Sequence, residues 1–149
     1  GKEELLVEAL KYADHINQIA IAEHLGVTGV TGDVLADGIA YHCDHGLKTI
    51  LQATVETNAN RPELVRLYTV LEGEALSEDH PAHDYFVTRE DNLLKEYTVA
   101  AERDHVADPA RTALQALSAM EGLQLRWLND AREVDFVGEW RALADLIIR

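Results

Sequence analysis

Read at 100° per residue, the stretch from Asp108 to Leu128 carries a very wide apolar face. Leu123, Ala116, Trp127, Met120, Ala113, Leu117, Leu128, Leu114 and Leu125 share one arc of roughly 200°, about twice what a helix buried on one side needs. Arg111, Gln115, Ser118, Ala119, Gly122, Arg126 and Asn129 occupy the opposite arc. Asp108 suits an N-cap and Pro109 the first helical position. Such a helix is expected to bury two sides, one against its own domain and one against something else. Two polar residues interrupt the apolar arc, Glu121 near one edge and Gln124 near the centre.

The same spacing predicts further helices. Leu5, Leu6, Ala9, Leu10, Ala13, Ile16, Ile19 and Ala20 give a helix from Lys2 to about His24, with Gly26 as its stop. Gly26, Gly29 and Gly32 predict a loop over 26–33, and 34–44 reads equally as a short helix or an ordered loop. Leu47, Ile50, Leu51 and Thr54 mark a helix to about Asn58. Pro62 opens another, lined by Leu64, Tyr68, Leu71 and Ala75. Pro81 opens the next, with Phe86, Leu93, Tyr97 and Ala100 on one face. After a polar turn at 129–133, Phe136, Val137, Trp140, Leu143, Ala144 and Ile147 form the last amphipathic repeat. That turn is short, so the last two helices are expected to lie antiparallel. No strand-like alternation occurs. The expected architecture is one all-α antiparallel bundle of about six helices covering residues 1–149.

Composition narrows the classes of function. The chain has 149 residues, 47% of them hydrophobic, enough for one domain with a real core. Its net charge of −14, without a Lys/Arg cluster, argues against grip on a phosphate backbone. Cys43 is the one cysteine, so no internal disulfide forms. No apolar run reaches a membrane span, and a cytoplasmic location is expected. The chain begins inside a helix-like pattern, as expected of a piece cut at a domain boundary.

Candidate chemistry is sparse. His42 with His45, and His80 with His83, have a spacing that could serve a metal, but one pair lies in the ambiguous segment and the other straddles a helix start. A di-iron bundle needs two Glu-x-x-His motifs, and only Glu102 to His105 has that spacing. There is no phosphate loop and no nucleophile elbow. No catalytic residue, cofactor or metal is expected. Glu121 and Gln124 are more informative, because an unpaired polar group on an apolar face costs roughly 1–3 kcal/mol. Either they pair across a helix interface or reach water, or they hydrogen-bond a small molecule. Glu72, one turn after Tyr68, poses the same question. Tyr68, Phe86, Leu93, Tyr97, Met120 and Leu123 could line such a cavity or be plain core, since pockets and cores share a composition. Trp127, Phe136 and Trp140 cluster at the last turn, where they could be core or interface. With Leu114, Leu117, Leu125, Leu128, Leu143 and Ile147 they make a candidate two-fold interface built from two helices per subunit.

Three segments resemble TetR-type transcriptional regulators. The opening GKEELLVEAL is similar to the start of the helix that follows the DNA-reading helix in that family. RPELVRLYTVLEGEAL and DHPAHDYFVTRED resemble the paired pocket helices of one subgroup, and ALSAMEGLQLRWLNDAREVDF resembles its Ala-x-x-Gly-Leu-Gln-x-x-Trp-Leu signature. The resemblance implies the C-terminal effector-binding and dimerisation domain of such a regulator. A helix-turn-helix would precede Gly1, and residues 1–24 would form the helix linking the two. DNA would be bound only through that missing domain. The last two helices would form a homodimer, the helices between Leu47 and Arg103 would enclose a small-molecule effector, and effector binding would tilt the first helix and release the operator. Two other readings stay open on the residues alone: a helical dimerisation module without an effector, and a metal-dependent helical-bundle enzyme.

Overall fold

Helix-start chemistry divides the chain much as the periodicity does. In a computed structural model that describes residues 1–27, 38, 40 and 43–149, six helices account for the regular structure of the described residues. They are α1 (Lys2–His24), α2 (Leu47–Ala59), α3 (Pro62–Glu74), α4 (His83–Arg103), α5 (Pro109–Asn129) and α6 (Phe136–Ile147). The fold is an all-α bundle. The loop expected over 26–33 and the ambiguous segment 34–44 fall largely outside the described residues, as does His42.

Each boundary has a local cause. Gly26 adopts φ 72°, and the Gly26 and Val27 amides turn back to Glu23 and Ala22, both at 3.0 Å. This is the left-handed stop expected there. Pro62 and Pro109 occupy first-turn positions. Pro81 instead sits in the turn before α4, whose N-cap is Ala82. The Asp108 and Asp135 side chains accept from the Arg111 and Gly138 amides and cap α5 and α6. Gly46, the N-cap of α2, has no side chain to do this, and Asp104 at the end of α4 accepts from the Lys48 amide at 2.9 Å instead. A Cβ on Gly46 would lie 2.0 Å from that carboxylate, so glycine is what admits a cap borrowed from another helix.

The centre of the molecule is α2, which packs against α1, α3, α4 and α6. Leu47, Ile50, Leu51, Ala53, Thr54, Val55 and Thr57 are all buried. Around it lies the main core, completed by Ala113, Ala116, Leu117, Trp127, Leu128, Phe136 and a fully enclosed Trp140. Trp127 and Phe136 stack at 4.9 Å across the last turn. A second, small cluster of Leu10, Ala75, Ala82 and Phe86 sits apart from it.

The residues expected at an interface fall in different places. Leu117, Trp127, Leu128, Phe136 and Trp140 are consumed by the chain's own core and have almost no surface left for a partner. Leu143 and Ile147 are half-buried against that core. Leu114 and Leu125, at one edge of the wide apolar arc, are about half exposed. The arc is therefore split, with most of it inside one bundle and its edge in solvent. Among the described residues, no helix is long and apolar enough to cross a membrane.

Candidate functional site

A cavity of about 850 Å³ lies between α1, α3, α4 and α5, with the first turns of α2 contributing Ile50 and Thr54. Its size falls within the roughly 300–1,000 Å³ usual for small-molecule sites. It exists because α1 makes its close backbone approach to α2, while it meets α3 and α4 through long side chains. Seven of the nine expected ligand residues line it: Tyr68, Glu72, Leu93, Tyr97, Met120, Glu121 and Gln124. Phe86 does not; it packs in the small cluster, edge-on to Tyr68 and Tyr85. Leu123 packs against the main core. Leu117, expected at an interface, lines the cavity.

The wall formed by α1 is held by one polar cluster. The Arg89 Nε donates to both carboxylate oxygens of Asp14, at 3.2 and 2.9 Å. The Tyr85 hydroxyl donates to Asp14 and lies 3.2 Å from the Leu10 carbonyl, which accepts from Tyr68 at 2.5 Å. The Arg89 guanidinium lies 5.3 Å from the Tyr68 ring centroid. Burial works against the Arg89 charge, and the Asp14 carboxylate more than offsets it, so the guanidinium stays charged. Burial, with Asp14 beside them, raises both phenols, Tyr68 to about 12. Sequence reasoning missed Asp14, Tyr85 and Arg89. No signal in the sequence marks them: at helical spacing Asp14 falls beyond the edge of the predicted apolar face, where a charged residue is ordinarily solvated.

An acidic cluster also borders the cavity, with Glu72 and Glu121 among the lining residues. Carboxylate oxygens of Glu72 on α3, Glu90 on α4 and Glu121 on α5 all lie within 4.8 Å of one another. Burial raises the Glu121 pKa to about 7, helped by the charges of Glu90 and Glu72 and opposed by Arg89. Burial likewise raises Glu72. None of the three has an ion-pair partner among the described residues, and the Glu90 Oε2 is buried without a hydrogen bond. Gln124 resolves differently, since its Oε1 accepts from Asn58 at 3.0 Å across the bundle. Tyr97 is 6% exposed and lines the cavity, yet its hydroxyl makes no hydrogen bond among the described residues.

His80 and His83 have structural partners. The His83 Nδ1 donates to the Ala75 carbonyl at 2.7 Å, and the His80 Nδ1 accepts from the Ala82 amide at 3.1 Å. Near the cavity Gly38 has φ 93°, and a Cβ there would meet the Glu96 carboxylate at 2.9 Å. Glu96 also accepts from the Ala40 amide at 3.1 Å. No protein-family model, curated protein or solved structure matches this chain.

Proposed function

We propose that this chain is a small-molecule sensing and homodimerising domain of a TetR-like transcriptional regulator, in which effector binding releases the operator. The single observation that supports this most is that α1 forms one wall of the cavity and is tied to the others through Asp14, Arg89, Tyr85 and Tyr68. A ligand entering the cavity competes for, or braces, the same groups that position α1. Occupancy and the position of α1 are then linked, and the linkage is reciprocal. In the proposed regulator α1 carries a DNA-reading head, so the coupling acts on operator affinity. The dimer would form along the outer edge of α5 and α6, where Leu114, Leu125 and Leu146 are exposed beside Leu143 and Ile147.

Thermal-shift screening of a small-molecule library, followed by hydrogen exchange on each stabilising compound, tests the coupling. A cavity ligand raises the melting temperature by linkage and should change exchange along α1. Compounds that bind while α1 exchange stays constant would refute sensing through α1. Sedimentation at micromolar concentration tests the dimer, and a strictly monomeric chain refutes that part.

A further inference from the structure

We propose that the cavity selects a small organic cation, a protonated amine or amidinium with an apolar body, whose charged head meets Glu72 and Glu121, the two members of the acidic cluster that line the cavity. This rests on the reading of the cavity as a sensing site. Three carboxylates from three different helices converge within 4.8 Å, and among the described residues none has a cationic partner. The cation nearby, Arg89, donates to Asp14. Lys11 and Lys95 also line the cavity but are solvent-exposed.

Such a cluster is repulsive while it is empty. A group with several N–H donors and a positive charge relieves that repulsion and forms charge-assisted hydrogen bonds, the stronger kind. Tyr97, 6% exposed, adds a hydroxyl to the cavity lining with no hydrogen-bond partner of its own among the described residues. Tyr68 and Tyr97 add aromatic surface to the lining for an apolar body. A bare divalent ion would use the oxygens alone and leave most of 850 Å³ unfilled.

The test uses one carbon skeleton in three charge states, phenylbutylammonium, phenylbutanol and phenylbutyrate, with manganese chloride as a fourth probe. Titration calorimetry is run on the chain and on Glu72→Gln and Glu121→Gln, both near-isosteric replacements that remove a buried charge. The ammonium compound should bind about tenfold or more tighter than the alcohol, with the carboxylate weakest. Each glutamine variant should weaken the ammonium by about tenfold and leave the alcohol within twofold. Equal binding of all three organic probes overturns the charge selection and leaves the sensing cavity standing. Binding of none of them overturns the cavity reading itself. Stoichiometric manganese binding that is lost in Glu121→Gln, without preference for the ammonium, replaces the organic cation with a metal ion.

Discussion

Two helices of this bundle are held in opposite ways. α2 buries seven of its 13 residues and is surrounded by four other helices. α1 buries three of 23, Leu10, Ile21 and Ala22, and leaves Leu5 and Tyr12 about 70% exposed. Apolar area removed from water fixes α2. The N-terminal half of α1 is tied by directional polar contacts to Arg89, Tyr85 and Tyr68. Regions with few buried apolar contacts open at lower free energy than the core. The polar cavity thus adjoins an element with few buried apolar side chains to lose by moving.

The comparison can be broken most sharply at its rigid pole. Trp140→Ala should destabilise the chain by about 3–5 kcal/mol in chemical denaturation, as expected for emptying a core site. Trp140→Phe should cost only a small fraction of that, because it keeps most of the volume and removes an indole N–H that has no partner. A near-neutral Trp140→Ala would mean that the core lies elsewhere.

At the other pole, Arg89→Met strands the Asp14 carboxylate. The pair keeps roughly a fifth of its surface in solvent, so the loss should be about 2–3 kcal/mol, below that of a fully buried pair. Hydrogen exchange should speed up along the N-terminal half of α1 and stay slow in α2. Equal loosening of both helices would erase the distinction drawn between them.

A smaller effect concerns acidity. The Glu121 pKa is raised in the folded chain to about 7 from an ordinary 4.5. The folded state therefore holds a proton that the unfolded state has released. This contribution to stability is complete below the unfolded pKa and is lost as pH rises through about 7. Glu72 shifts in the same direction. Glu121→Gln should flatten the decline and be more stable than the parent at about pH 8, by roughly 1 kcal/mol. An unchanged pH profile would show that the carboxylate is well solvated.

The smallest effect on folding belongs to the outer edge. Leu114→Glu or Leu146→Glu should change stability by less than about 0.5 kcal/mol, because both side chains are already exposed. The same changes should weaken self-association in sedimentation. A large folding defect would place these leucines inside the bundle.

The helices were legible because each is a repeat in one dimension. Asp108 before Pro109, Pro62 at the start of α3, and Gly26 after His24 mark their ends in the chain itself. Much of the cavity was legible too, since Glu121 and Glu72 stand out as polar groups on apolar faces. Its anchoring was not. Asp14 and Arg89 are 75 residues apart, and nothing in one dimension tells a charged residue with a distant partner from a solvated one. The place of Leu117 in the cavity lining was not legible for a related reason: periodicity places residues on a common face without saying what that face meets.

By itself, then, the sequence determined that the chain is all-helical, where most helices begin and end, and which residues sit uneasily on their faces. These depend on propensity, capping and spacing, which act over a turn or two. Only the tertiary structure decided that α2 is the hub, that Trp127, Phe136 and Trp140 close the chain's own core, that Asp104 caps a distant helix, and that Glu72, Glu90 and Glu121 meet. Those outcomes depend on how helices choose neighbours, which is a competition among whole apolar surfaces.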